Sequence, residues 1–331
     1  MSAPPILSVR GLRTTFATRH GMVTAVDGVD LEVLPGECLG VVGESGCGKS
    51  VTFASVMGLV KPPGRIAGGS IRFLDQELTT LDEARFRALR GRDMAMTMQD
   101  ALTALNPAYT VADQIMEVVL EHDASLDGSA RQRRAQARAR ALEMMDLVGI
   151  PSAAKRLDDY PHQFSGGMRQ RIMIAIALAC RPRLLIADEP TTALDVTIQA
   201  QVLDLISTLR TELGMSVVLI THDLAVVAEH CDRVVVMYAG QVVETAPTRA
   251  LIDAPEHPYT RGLLASIPRL SALDAPLDPI DGRVPDLVDL PPGCRFRERC
   301  TVAEARCTSE VPMVPLAGER AVRCVLAEGG R

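Results

Sequence analysis

The chain has 331 residues, 47% of them hydrophobic and 23% charged, which is enough apolar material for a large core and excludes a disordered or fibrous polypeptide. Its 41 acidic residues outnumber 35 basic ones, and the formal net charge of −6 argues against a nucleic-acid-binding surface spread over the whole molecule. The start "MSAPPILSVRGL" lacks the basic residues and apolar run of a signal peptide, and no stretch approaches the ~20 apolar residues that span a bilayer, so we expect a soluble, cytoplasmic chain that meets a membrane only through a partner.

From Ile6 to about Met98 the pattern is strand-rich: "ILSVRGL", "DGVDLEVL" and "SIRFLD" alternate apolar and polar residues, and Pro35-Gly36 marks a turn. From about Asp100 to Gln163 the pattern turns helical. "SARQRRAQARARALEMMDLVGI" puts Ala137, Ala141, Met144 and Val148 at helical spacing, and its arginine-crowded first half reads as solvated surface. From Phe164 to about Val243 apolar strands alternate with helices, the sign of a parallel α/β sheet, and "YAGQ" suggests a closing hairpin. After Ala246 prolines multiply and the chain reads as a small, loop-rich appendage with little core of its own.

Two motifs carry phosphate chemistry. "GESGCGKS", Gly43 to Ser50, fits G-x-x-x-x-G-K-[ST] between a buried strand and a helix. Backbone N–H groups of Gly43, Glu44, Ser45, Gly46, Cys47 and Gly48, and of Val51 at the helix start, can cradle phosphate oxygens. Lys49 reaches the β- and γ-phosphates and Ser50 ligates Mg²⁺; Cys47 serves as a small filler. "LLIADEP", Leu184 to Pro190, ends a buried strand in two acids: Asp188 to hold Mg²⁺, directly or through water, and Glu189 to polarise the attacking water. Asp-Glu, rather than a lone Asp, suits an ATPase with its own base.

Half of the eight cysteines lie at the far end, spaced Cys294-x5-Cys300-x6-Cys307-x16-Cys324. No C-x2-4-C pair is present, so the spacing disfavours a zinc ribbon; four thiolates suit zinc or an iron–sulfur cluster, and free or disulfide-bonded thiols remain open.

"FSGGMRQR", Phe164 to Arg171, resembles the LSGGQ signature of ABC-type ATPases, with Phe164 and Met168 departing as they do in the peptide-importer branch. The other motifs follow in order: Gln99 resembles the Q-loop glutamine, "ALD" ending at Asp195 the D-loop, and His222 in "LITHDL" the switch histidine. "HPYTRGLLASIP" and "C-x-F-x-x-R-C" resemble runs in the ATPase subunits of oligopeptide, dipeptide and nickel importers. The resemblance covers nearly the whole chain. It implies an α/β fold, a P-loop NTPase of ABC type with an antiparallel β subdomain, a helical subdomain and a small cysteine-rich C-terminal extension. The expected division is 1–245 for the ATPase domain, with its helical part at about 100–165, and 246–331 for the extension.

The resemblance further implies that Ser165, Gly166 and Gly167 grip the ATP held by a second subunit, that Asp195 belongs to the same interface, that His222 contacts the γ-phosphate, and that Gln99 orients water or Mg²⁺. Phe16 is the candidate for stacking on adenine. The implied cofactors are ATP, Mg²⁺ and a 4Fe-4S cluster on Cys294, Cys300, Cys307 and Cys324, the last as a staple for the tail. The implied partners are a second ABC ATPase subunit, a paralogue in this branch, two membrane permease subunits and, through them, an extracytoplasmic peptide-binding protein, with no nucleic acid. The implied location is peripheral, on the cytoplasmic face of the inner membrane. Rival readings are a nickel importer ATPase, a soluble ABC ATPase acting on nucleic acid or ribosomes, and a metal sensor that uses ATP as a switch.

Overall fold

Residues 4–98, 104–192, 194–266 and 280–327 are described by a computed structural model, and they fall into two units: Met1–Thr79 with Leu219–Arg331, and Thr80–Val218. In the first unit, alternation builds an antiparallel sheet. β1 (Leu7–Thr18) buries Leu7 and Val9, which lie opposite the buried Val33 and Leu31 of β2 (Gly21–Val33). β3 (Cys38–Val42) is buried at every position, as a strand covered on both faces must be, and it feeds the phosphate loop and α1 (Lys49–Val56). β4 (Gly64–Phe73) pairs with the other edge of β1, and β5 (Gln76–Glu77) with β4, giving the order β2-β1-β4-β5.

The second unit opens with α2 (Glu83–Leu89), N-capped by Asp82, and β6 (Met94–Thr97). α3 (Val111–His122) is capped by Thr110, and α4 (Ala130–Leu147) starts in a capping box of Ser129 and Gln132. α4 turns its arginines outward and buries Ala137, Ala141, Met144 and Met145. α5 (Ala153–Arg156) and α6 (Gly166–Leu178) lead to β7 (Leu184–Asp188), buried throughout and parallel to β6. α7 (Val196–Leu213) ends on Gly214 in the left-handed conformation. β8 (Ser216–Thr221), again buried throughout, carries the chain across the boundary.

Back in the first unit, α8 (Leu224–His230) precedes β9 (Arg233–Tyr238), which runs parallel to β3, and β10 (Gln241–Pro247), which returns antiparallel to β9. The hairpin turns on Ala239 and Gly240, both at positive φ (44 and 85), the geometry that a two-residue turn between twisted strands requires. α9 (Thr248–Asp253) and α10 (Pro258–Ala265) follow, then β11 (Val314–Leu316) and β12 (Arg320–Val322). β12 pairs with β10, Glu244 opposite Val322, so this unit contains the run β11-β12-β10-β9-β3. The proline-rich tail therefore extends an existing sheet edge and carries a small apolar cluster of Cys307, Val311 and Val325. Among the described residues, no helix is long and apolar enough to cross a membrane.

Glu244 ties this tail down. Its carboxylate, 1% exposed, accepts the backbone N–H of Glu256 and of His257, each at 2.9 Å, just before α10. Glu244→Ala takes the acceptor from one buried and one part-buried donor and is expected to cost about 2 kcal/mol. Urea unfolding checks this, and an unchanged midpoint would contradict it.

Candidate nucleotide site and cysteine centre

The phosphate loop is shaped by close approach of backbone to backbone. Gly43 has φ 152, and a Cβ there would stand 2.2 Å from the carbonyl oxygen of Met237 in β9; Gly48 has φ 101, and its Cβ would stand 2.4 Å from that of Ala25. Only glycine fits either position. Gly48 also caps α1 with no side-chain acceptor, the form of helix start that receives an anion. Lys49 is 5% exposed, and its ammonium donates to the carbonyls of Gly43 (2.6 Å) and Glu44 (3.0 Å). Behind the loop, Gly240 N–H donates to the carbonyl of Cys47 at 2.8 Å. Burial pushes the Cys47 thiol up against the pull of Lys49, which suits a filler and not a nucleophile. Ser45, Gly46 and Ser50 are exposed, and Val51 is half-buried.

Elsewhere in the first unit, His222 stands exposed just after β8. Phe16 is half-buried in β1 opposite Gly64 of β4, and a Cβ on Gly64 would lie 2.4 Å from its ring, so the ring is laid across the neighbouring strand.

In the second unit, Asp188 is buried at the end of β7. Glu189 is half-buried with φ 45, a costly value for a residue other than glycine. Thr192 holds it there: its hydroxyl donates to Glu189 Oε2 at 2.8 Å, and its N–H to the Glu189 carbonyl at 3.2 Å. Ser165 caps α6, its Oγ accepting from the Met168 N–H, and Ser165 and Gly166 are exposed. Gly167 sits against α7, where a Cβ would meet Ile198 at 2.5 Å. The two departures from the consensus signature share one partner: the Arg156 guanidinium lies 4.0 Å from the Phe164 ring centre and donates to Met168 Sδ at 3.3 Å. Asp195 is exposed at the N-cap of α7 without a side-chain cap bond. Gln99 lies outside the described residues, as does Ala193 of the D-loop.

Cys294, Cys300, Cys307 and Cys324 are free thiols that line one cavity of about 10 Å³ walled by Phe296, Val302 and Val325. Burial raises the first, second and last of these thiols, and nearby cysteines add to the rise. Opposing this, the backbone amides at Phe296, Val302 and Leu326 pull the thiols of Cys294, Cys300 and Cys324 back down. Among the described residues, no three His, Cys, Asp or Glu side chains close around a point that would hold a single metal ion.

Residues 26–192 match the family model described as ABC transporter, and residues 243–307 match one described as Oligopeptide/dipeptide transporter, C-terminal region. The chain belongs to the ABC transporter ATPase family. It is 51% identical over 296 residues to the dipeptide transport ATP-binding protein DppD of Bacillus subtilis, covering 89% of this chain and 86% of that one. It is 48% identical over 325 residues to the oligopeptide transport ATP-binding protein AppD of the same organism, covering 98% and 97%. Among solved structures, the dimeric MJ0796, a bacterial ABC transporter cassette, matches with a TM-score of 0.64 at 26% identity, over 73% of this chain and 99% of that one.

The ABC motifs account for the loop but not for what grips it from the C-terminal region. Tyr259 Oη accepts the Glu44 N–H at 2.9 Å, and Arg299 makes a two-pronged ion pair with the Glu44 carboxylate at 2.6 and 2.9 Å. Both lie inside quoted runs, "HPYTRG" and "C-x-F-x-x-R-C", whose spacing alone assigns them no task. His257 orients Tyr259 by accepting its N–H on Nδ1 at 3.1 Å. Burial lowers the pKa of His257 to about 3, which keeps that nitrogen free to accept.

Gly48→Ala is expected to store about 1–3 kcal/mol of strain in the loop and to weaken ATP binding correspondingly. Gly46→Ala is expected to be milder, since Gly46 has φ 77 but nothing within 4 Å of a Cβ. Titration with a fluorescent ATP analogue ranks the two, and equal affinities would contradict the steric account.

Proposed function

We propose that this ABC ATPase is the nucleotide-hydrolysing subunit of a peptide importer. The observation that carries it is the coexistence, on one chain, of a built phosphate loop and a C-terminal region of the oligopeptide/dipeptide transporter type. Identity of about half to relatives named for dipeptide and oligopeptide transport supports the cargo class.

The loop from Gly43 to Ser50, with Val51, holds the triphosphate, and Lys49 exchanges two backbone carbonyls for phosphate oxygens. Ser50 and Asp188 hold Mg²⁺, with Gln99 orienting water or metal. Glu189 takes the proton of the attacking water, its carboxylate held off the strand end by Thr192. His222 contacts the γ-phosphate, and Phe16 stacks on adenine. The exposed helix start at Ser165, Gly166 and Gly167 is a second anion site, suited to the nucleotide of another subunit, with Asp195 at the same interface. The working unit is a pair of ATPase subunits, this chain with a paralogue, on two membrane permeases that receive peptide from a binding protein, peripheral to the cytoplasmic face of the membrane. The ATPase domain runs over 1–245, with a helical part at about 100–165, and the extension over 246–331.

The four cysteines fit a 4Fe-4S cluster by donor chemistry, since all four thiols line one cavity. At about 10 Å³ the cavity has room for at most about one water, so the thiols must part to take it. When bound, the cluster supplies positive charge that offsets the repulsion among buried thiolates and cross-links a segment with little core.

Glu189→Gln is expected to bind ATP and to hydrolyse it at least ~100-fold more slowly; near-normal phosphate release would overturn the assignment of the base. Protein purified without oxygen is expected to carry about four iron and four sulfide per chain and to absorb visible light. Colourless, iron-free protein under those conditions would overturn the cluster.

A further inference from the structure

The phosphate-loop motif leaves its second position open, and here it is filled by a carboxylate, Glu44, beside the site that receives the highly charged triphosphate of ATP. Like charges that close repel, and the Glu44 side chain is only 29% exposed. Something must offset Glu44 for the loop to bind ATP well, and the loop itself supplies nothing: Lys49 donates to the backbone carbonyl of Glu44, not to its carboxylate.

Arg299 supplies the offset. Its side chain is 5% exposed, and every nitrogen has a partner. Nη1 donates to Glu44 Oε2 (2.6 Å) and Tyr238 Oη (3.3 Å), Nη2 to Glu44 Oε1 (2.9 Å) and the Ile280 carbonyl (3.1 Å), and Nε to the Asp281 carbonyl (2.8 Å). The guanidinium is thus fixed by two backbone oxygens while its fork faces the carboxylate, the arrangement that costs least to hold and most to lose. Tyr259 acts on the same residue from a second direction by accepting the Glu44 N–H.

The two grips share one support. Phe296 packs edge-on to Tyr238, with ring centres 5.2 Å apart, and tilted against Tyr259 at 5.3 Å; the Arg299 guanidinium lies 5.9 Å from the Phe296 ring. Tyr238 and Tyr259 meet each other at 4.7 Å. The aromatic block is buried, so the orientation of Arg299 relative to the loop is set by packing and not by a long, free side chain.

We propose that Arg299 and Tyr259, both from the C-terminal region, are positioning residues for the phosphate loop: they hold Glu44, and through it the loop, in the form that accepts ATP, and Arg299 cancels the carboxylate's charge beside the phosphates. The C-terminal region is then part of the nucleotide site and not an independent appendage. This rests on residues 43–50 being the ATP loop.

The test is equilibrium binding of Mg-ATP to the full-length chain, with steady-state hydrolysis alongside and thermal melting to score folding. Arg299→Ala is expected to raise Kd about tenfold and to raise KM with it, while turnover at saturating ATP changes by less than about threefold. Adding Glu44→Gln to Arg299→Ala removes the uncompensated charge and is expected to recover a large part of the lost affinity, a rescue that a purely structural role for Arg299 would not give. Arg299→Lys, which keeps the charge and loses the fork, falls between the two, and Tyr259→Phe raises Kd about threefold. Wild-type affinity in Arg299→Ala, or a double variant no better than Arg299→Ala, would overturn the proposal. Should Arg299→Ala melt below the assay temperature, Arg299→Lys and Tyr259→Phe decide, and wild-type affinity in both overturns it. A wild-type chain that fails to bind ATP would instead overturn the nucleotide site itself.

Discussion

A buried ammonium held by backbone carbonyls is the constraint on which the nucleotide half of this molecule depends. A buried ammonium needs hydrogen-bond partners, and those of Lys49, 5% exposed, include the carbonyls of Gly43 and Glu44 on its own loop. Those two bonds tie the loop to its own lysine. The price is a backbone that must bend back on itself, hence Gly43 and Gly48, each pressed against a neighbouring carbonyl. Everything around the loop serves that bend: β3 delivers it, β9 lies against Gly43 through Met237, and Gly240 in the hairpin after β9 bonds to its back.

The signature helix follows a different logic. Its start is exposed and capped only by its own Ser165, while the turns behind it are locked by Arg156 between Phe164 and Met168 and by Ile198 against Gly167. Phe164 and Met168, the two departures from the consensus, are a matched pair around one guanidinium and not two independent losses.

Much of this was legible beforehand because the motifs that carry it are local. "GESGCGKS" and "LLIADEP" specify backbone shape and charge within eight residues, and the short β-branched run inside Ser216–Thr221 suits an interior strand. The arginine-rich run of α4 buried the spaced Ala137, Ala141 and Met144 and left its arginines outside, as the spacing predicts. The seven-residue α2 was not legible, since so short a helix shows no clear period and is announced only by its Asp82 cap. Nor were the partners of Glu44: Tyr259 and Arg299 lie 215 and 255 residues away along the chain, and no local pattern encodes a pairing that only the packed aromatic block of Tyr238, Tyr259 and Phe296 brings about. The cysteines sit between these cases. Their clustering was visible, but that four unevenly spaced thiols line one cavity depends on the folded turns around Arg297 and Cys307.

Peptide uptake into proteoliposomes that contain the complete complex purified through this chain tests the central claim most directly. The account predicts that labelled peptide accumulates only with ATP on the side bearing this subunit, and that a complex carrying Lys49→Ala does not accumulate it. Uptake that proceeds equally well with Lys49→Ala would contradict it.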